Sequence, residues 1–309
     1  MVFSAEALVW WLSPAVLALF GLCIGSFLNV VVHRLPRMME RQWWRDIAGQ
    51  LADADAWRRC FGTPAPKPVG SAAAELERQI EALGAYGLSR PASACPACGH
   101  RIRWFENIPV LSWLWLKRRC SACKVAISGR YPFVELLTAA LFAAAAWRFG
   151  PQPVALLWCG VLAVLVALAA IDWDTTLLPD SLTLPLLWAG LIAATLGWTL
   201  PLATALWGAV VGYLSLWSVY WLFKLATGKE GMGHGDFKLL AALGAWLGWQ
   251  AILPIVLMAS VIGAIVGIAM KLRGGLREGR YVPFGPFLAG GGVVVLLAGA
   301  ERVLGWIGQ

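Results

Sequence analysis

Four of the seven cysteines fall in two pairs, Cys95-x2-Cys98 and Cys120-x2-Cys123, with 21 residues between the pairs. Each pair puts two thiolates on one tight turn, and two such turns complete a tetrahedron around Zn²⁺. Gly99 follows the first pair, where a small residue helps the chain turn back. A closed set of four thiolates suits a structural ion, because a catalytic zinc keeps one position open. The same four residues could instead form two disulfides, but not where thiols are kept reduced. His100 is adjacent and is not needed as a ligand. Cys23, Cys60 and Cys159 belong to no pattern, and Cys23 and Cys159 read as small buried hydrophobes.

The second group is acidic. Asp172 closes an apolar run, and Asp236 opens another directly after Gly231-Met232-Gly233-His234-Gly235. Ionisable groups in or beside a membrane span are costly and are functional candidates by default. Two carboxylates brought close cannot both ionise, so a pair can offer a base to activate water and an acid for a leaving group. Glycines before Asp236 let backbone approach an extended chain closely. Taken singly, each acid has an ordinary reading. Asp172 and Asp174 could be loop charges, Asp236 could cap a helix, and Asp180 after Pro179 reads as an N-cap. Glu135 could pair with a basic neighbour such as Arg130, and His234 reads as a loop residue rather than a ligand. These residue types leave open which of the three neighbouring aspartates would partner Asp236.

The elements that must position these groups are membrane spans. The 309 residues are 60% hydrophobic and only 14% charged, well below the quarter charged of soluble domains. Runs near the length of about 20 residues that a span needs occupy 15–32, 154–171, 182–200, 201–223, 251–270 and 284–300. Shorter candidates lie at 132–147 and 237–249, giving about eight crossings. The last of these is only 13 residues, about 20 Å of helix against a hydrocarbon core of about 30 Å. That predicts a short helix with Asp236 somewhat below the surface, and Pro254 in the first turn of the next helix. The nineteen Trp fit interfacial belts.

Charge sets the expected orientation. Of 25 Lys and Arg, all but Arg148 and Arg302 fall in alternate loops: residues 34–130, the Lys224/Lys229/Lys238 loop, and the Lys271/Arg273/Arg277/Arg280 loop. The positive-inside rule puts these loops in the cytosol and both termini outside. No basic stretch precedes the first apolar run, so that run reads as an anchor rather than a cleaved signal. The net charge of +8 is thus a topology signal, and no nucleic-acid module or nucleic-acid partner is expected. A cytosolic location for the cysteine pairs keeps them reduced and favours zinc over disulfides.

The expected fold is an all-α polytopic membrane protein of about eight transmembrane helices with a small cytosolic four-cysteine zinc-binding domain between helices 1 and 2. Residues 1–33 form the first transmembrane helix. Residues 34–130 form the cytosolic segment, with the zinc site in 94–124, and 131–309 form a membrane core. Within the cytosolic segment, 63–68 (Thr63 to Pro68) reads as a stiff extended linker and 72–83 has helical character.

The chain resembles the bacterial type IV prepilin peptidases, also called type 4 prepilin-like leader peptidases, over nearly its whole length. The resemblance rests on Gly25-Ser26-Phe27-Leu28-Asn29-Val30 and His33-Arg34-Leu35-Pro36, the two cysteine knuckles enclosing Glu106-Asn107-Ile108-Pro109, and Arg130-Tyr131-Pro132 with Glu135. It continues through Ile171-Asp172, Leu177-Leu178-Pro179-Asp180 and Gly231 to Lys238. The family is similar to other GxGD-type membrane aspartyl proteases. The resemblance implies that Asp172 and Asp236 are the catalytic pair. It implies cleavage of prepilins and type II secretion pseudopilins after a leader-terminal Gly, at the cytosolic face of the bacterial inner membrane. N-methylation of the new N-terminus with S-adenosylmethionine is implied as a second activity, and membrane lipids as the surroundings. Two departures stand out. The stretch from Arg37 to Pro91 is longer than usual in the family, and Arg118 stands where members often carry Gly.

A transporter using carboxylate ion sites is the competing class. It would place such groups near the membrane midplane in repeated halves, and no internal repeat is visible. A zinc scaffold without chemistry would leave the glycine-rich loop before Asp236 unexplained.

Overall fold

A computed structural model describes residues 5–273 and 282–307. Arg277 and Arg280, counted above in the third basic loop, lie outside the described residues. Among the described residues the regular elements are helices: α1 (Ala5–Trp11), α2 (Pro14–Ala52), α3 (Ala54–Phe61), α4 (Lys67–Ala82), α5 (Leu111–Trp115), α6 (Arg130–Phe149) and α7 (Pro153–Thr175). They continue as α8 (Asp180–Thr195), α9 (Leu202–Thr227), α10 (His234–Leu247), α11 (Ile252–Leu272), α12 (Gly285–Ala298) and α13 (Ala300–Ile307). The chain divides into two compact units. The first comprises Met1–Asn29, Pro109–Leu111 and Ser128–Gln309, and the second comprises Val30–Ile108 and Ser112–Ile127.

In the first unit each of the eight expected apolar runs is a helix. Five helices are long and apolar enough to cross a membrane by themselves: α2, α6, α7, α9 and α11 with its short 3-10 lead-in. The pair α12 and α13 would make a sixth, bent by 109°. Helices α8 and α10 are shorter, at 16 and 14 residues. The apolar core is shared by α7, α10 and α12. Leu162, Leu165 and Leu168 of α7, Phe237, Leu239, Leu240 and Leu243 of α10, and Leu288 of α12 are all sealed from the surface.

Helix α10 is the central element. Ten of its fourteen residues are buried, against α8, α9 and α12. A short helix buried on all sides cannot carry a polar face, which is why its sequence is apolar all round after Lys238. Its approach to α9 depends on glycine: a Cβ on Gly244 would sit 2.0 Å from the Gly208 carbonyl oxygen. Small residues at such crossings let two backbones meet directly, the usual device where lipid offers no hydrophobic drive to association. Pro254 is the third residue of α11, as expected.

The second unit holds the cysteine pairs. The region expected as an extended linker is shorter than predicted, because α4 already starts at Lys67 with Pro68 in its first turn. Proline suits that position, where the missing N–H has no intrahelical partner in any case. Helix α2 also runs unbroken past His33 to Ala52, with Pro36 inside it. Arg34, one of the few buried charges, donates from Nη1 to the carbonyls of Gly87 and Leu88 at 2.9 and 3.2 Å.

Candidate active site and metal centre

Asp172 lies on the last turn of α7, and the helix ends where the Thr176 N–H returns to the Asp172 carbonyl at 2.8 Å. Its carboxylate is 4% exposed. Across from it, α12 begins with Gly285-Pro286, and the Gly285 N–H donates to Asp172 Oδ2 at 2.9 Å. Pro286 pre-sets the helical angle at the start of α12, and the N–H of Gly285, the first helical residue, has no intrahelical partner and points at the acid.

Asp236 is the third residue of α10 and is 7% exposed. The backbone N–H of Asp236 bonds the Gly233 carbonyl at 3.2 Å, so the glycine-rich loop closes directly onto the helix start. Its Oδ1 is buried and has no hydrogen-bond partner among the described residues. Buried acceptors are nearly always paired, so this oxygen marks a place for a donor. The Leu178 side chain lies against both approaches: a Cβ on Gly235 would meet Leu178 Cβ at 2.7 Å, and one on Gly285 would meet Leu178 Cδ1 at 3.2 Å.

The other acids near this end of the unit are engaged elsewhere. Asp174 takes both of its oxygens to Arg130 Nη1 at 2.6 Å, and Arg130 Nη2 also donates to the Ala170 carbonyl at 3.2 Å. Asp180 does not cap α8, whose N-cap is Pro179. It accepts from Lys238 Nζ at 2.7 and 2.8 Å instead, tying α8 to α10 one short step from Asp236. Glu135 pairs with no basic group in the described structure and accepts the Val110 N–H at 2.7 Å. Of the three aspartates that the sequence left open, Asp174 and Asp180 each pair with a cation, while Asp172, among the described residues, accepts the Gly285 N–H and no cation. Gly285 has no precedent in the sequence reading. Its only signal is a Gly-Pro step opening an apolar run, which by itself reads as a turn.

In the second unit the Sγ atoms of Cys95, Cys98, Cys120 and Cys123 all lie within 4.8 Å of one another. The Cys95 and Cys123 sulfurs are 3.8 Å apart, the edge of a tetrahedron whose centre is about 2.3 Å from each sulfur. The two knuckles repeat one geometry. Cys95 N–H bonds His100 O and Gly99 N–H returns to Cys95 O. In parallel, Cys120 N–H bonds Val125 O and Lys124 N–H returns to Cys120 O, at 2.9 to 3.1 Å throughout. The residue after each second cysteine, Gly99 or Lys124, has a positive φ, +70° and +61°. Backbone N–H groups of Ala97 and Cys98 pull the Cys95 thiol down to about 7, and those of Cys123 and Ala122 lower Cys120. Cys123 receives the Val125 N–H, but burial and its three sulfur neighbours outweigh that and push it up to about 11. N–H groups aimed at crowded sulfurs are the preparation a shared dication requires, and this donor set fits Zn²⁺.

Glu106 braces the two knuckles. It is reached by the Ser121 hydroxyl, by the Arg103 N–H at 2.8 Å and by His100 Nε2 at 3.3 Å, and these hold it down to about 2. Ser121 Oγ is also 3.2 Å from His100 Nε2. His100 thus contacts the partner of the second knuckle and is not among the four sulfur donors.

Two family models match the chain. That for the Bacterial Peptidase A24 N-terminal domain matches residues 19–149, and that for the Type IV leader peptidase family matches 159–268. A protein of Aeromonas salmonicida (strain A449), named prepilin leader peptidase/N-methyltransferase, is 51% identical over 296 residues, 96% of this chain and 94% of its own. A protein of the same name from Pseudomonas aeruginosa is 50% identical over 287 residues, covering 92% and 89%. No solved structure gives a significant match. With two family models covering most of its length and relatives at half identity end to end, this chain belongs to the type IV leader peptidase family.

Proposed function

We propose that Asp172 and Asp236 are the catalytic pair of a membrane aspartyl peptidase. It removes the leader from type IV prepilins and type II secretion pseudopilins at the cytosolic face of the bacterial inner membrane, and the same chain N-methylates the new N-terminus. Family membership and the names of the half-identical relatives support prepilin cleavage and methylation. One observation carries the assignment of the pair: among the described residues, Asp236 Oδ1 is buried without a donor, and Asp172 is buried and accepts the Gly285 N–H rather than a cation.

A pair of this kind shares a proton. The ionised member takes a proton from water as its oxygen adds to the scissile carbonyl. The protonated member donates to the carbonyl oxygen. Collapse of the tetrahedral intermediate breaks the C–N bond, and the amine leaves with a proton returned from the pair. The Gly285 N–H steadies Asp172, and the Asp180–Lys238 pair fixes the start of α10. The basic residues at this end, Lys224, Lys229 and Lys238, support a cytosolic orientation.

Zn²⁺ held by Cys95, Cys98, Cys120 and Cys123 would link the two knuckles and stabilise the fold of the second unit.

The test is co-expression with a prepilin, scored by mass spectrometry for leader removal and N-methylation. Asp172→Asn and Asp236→Asn should each abolish cleavage while the protein still inserts. Asp174→Asn should be mild, because its partner is a half-exposed Arg130 and such pairs contribute about 1 kcal/mol or less. Near-normal processing by either of the first two variants would sink the mechanism.

A further inference from the structure

A cavity of about 550 Å³ lies within the first unit between α6, α7 and α12, and neither Asp172 nor Asp236 lines it. Its walls are Phe133 and Leu137 of α6, Ala169 and Trp173 of α7, and Ala289 and Gly290 of α12. Three features locate it functionally. Trp173 adjoins Asp172 in the chain, and Pro286, which also lines the cavity, adjoins the Gly285 that holds Asp172. One end of the cavity thus lies one residue along each helix from the Gly285–Asp172 contact. It is open at the side, since Phe133, Leu137 and Trp173 are 63%, 37% and 46% exposed on an apolar helical surface. Along α7 it extends from Trp173 back to Leu165, and along α12 from Pro286 to Val293, a run of about 10–12 Å, or two helical turns.

The charge at its mouth selects among occupants. Arg130 and Asp174 are the charged residues of the lining, and they neutralise one another through both carboxylate oxygens at 2.6 Å. Among the described residues of the lining, Arg130 is engaged by Asp174 and the Ala170 carbonyl, so an anionic lipid headgroup finds no unpaired cation among them. An apolar peptide finds small residues (Ala169, Ala289, Gly290) that let a helix approach closely, flanked by large apolar ones.

We infer that this groove binds the first two turns of the apolar helix that, by the family resemblance, is joined to the short basic leader of a prepilin, so that the bond between leader and helix is presented near Asp172. The inference rests on the peptidase reading above. It adds that recognition comes from the bilayer side, through an apolar segment docked along α7 and α12, as well as from the leader.

Gly290 allows a clean test. A Cβ added there meets nothing within 4 Å, so a longer side chain grows into the groove and not into the fold. Two substrates are compared with the full-length enzyme in detergent: a prepilin with its whole apolar segment, and a peptide ending two or three residues after the scissile bond. Wild type should prefer the long substrate in kcat/KM. Gly290→Leu should reduce that preference at least tenfold. Loss of activity in equal proportion on both substrates, or an unchanged preference, would overturn the groove. A wild type that cleaves neither substrate would overturn the peptidase reading and the groove with it. In a second arm, p-benzoylphenylalanine replaces Phe133 in membranes containing prepilin. Adducts to the apolar segment of the substrate support the groove, and adducts to lipid alone refute it.

Discussion

The Gly285 N–H holds Asp172 Oδ2 at 2.9 Å, and a Cβ on Gly285 would come within 2.6 Å of that same oxygen. The hydrogen bond and the absence of a side chain are therefore one requirement: only glycine can bring its N–H so close. Gly285→Ala should push the carboxylate off its position without disturbing the apolar core. Misplacement on the order of 1 Å costs about 100-fold in well-placed active sites. Leader removal should fall by about 10- to 100-fold, with normal amounts of protein in the membrane. Quantitative processing assays beside immunoblots of the enzyme would check this, and unimpaired cleavage would mean that Asp172 does not depend on this contact.

Zinc content is a direct expectation from the four sulfurs. Protein purified without chelators should carry about one Zn²⁺ per chain by elemental analysis. Cys98→Ser or Cys120→Ser should lower that content and make the second unit more sensitive to proteolysis, because metal binding and folding are coupled in such knuckles. A zinc-free preparation with normal protease resistance would refute the assignment.

Glu106 makes stability depend on acid in a predictable direction. Contacts from Ser121, the Arg103 N–H and His100 hold its carboxylate at about 2, below the usual 4.5. A group whose folded value is depressed contributes fully above its unfolded value and loses the contribution as pH falls towards the folded one. Wild type should therefore exceed Glu106→Gln in thermal stability at pH 7, by about 1–2 kcal/mol for charge-assisted hydrogen bonds of this kind. The gap should narrow as pH falls from about 5 towards 2. Measuring the difference between the two proteins cancels the acid loss of zinc that both share. A gap that stays constant down to pH 3 would contradict the role of Glu106.

Arg118 adopts φ +63°, with its N–H on the Trp113 carbonyl at 2.9 Å and its carbonyl accepting from Ile127 at 2.7 Å. The segment thus keeps the backbone turn that glycine makes without strain, and Arg makes it at a cost. Part of that cost is offset by the guanidinium lying 5.7 Å from the Trp113 ring. Arg118→Gly should be neutral or stabilising by up to about 1 kcal/mol. It should leave cleavage unchanged and methylation equal or improved, read by thermal melting and by mass spectrometry of mature pilin. Reduced methylation would show that the Arg118 side chain itself contributes to that step.

The elements were legible because membrane spans are written in composition. Each of the eight apolar runs became a helix, and the 13-residue run before Gln250 proved to be the short, buried α10. The cysteine knuckles were legible because their chemistry is local, with every ligand fixed by a turn of four residues. Partnerships across the chain were not. A pairing of Glu135 with a basic neighbour such as Arg130 was one local reading, but Arg130 extends to Asp174, 44 residues on, and Glu135 takes the N–H of Val110, which sits at φ +60°. Asp180 has the local pattern of a helix cap and instead meets Lys238, 58 residues later. The Gly285–Asp172 contact spans 113 residues and involves a backbone donor, which has no side-chain signature at all. Local spacing reveals chemistry that one turn can build, and packing decides the rest.

The burial of α10 bears on how the protein is made. This helix has 14 residues and carries Asp236 and Lys238 near its start, so it is too short and too polar to partition into lipid by itself. Its cover comes from α8 and α9, synthesised before it, and from α12, synthesised after it. During translation the emerging α10 must therefore dock on α9, glycine to glycine at Gly208 and Gly244, while its remaining side is still bare. A nascent chain halted after α11 would leave that side open to lipid and quality-control proteases. The Gly285–Asp172 contact can form only once α12 has been synthesised, after every helix that packs against α10 from the N-terminal side.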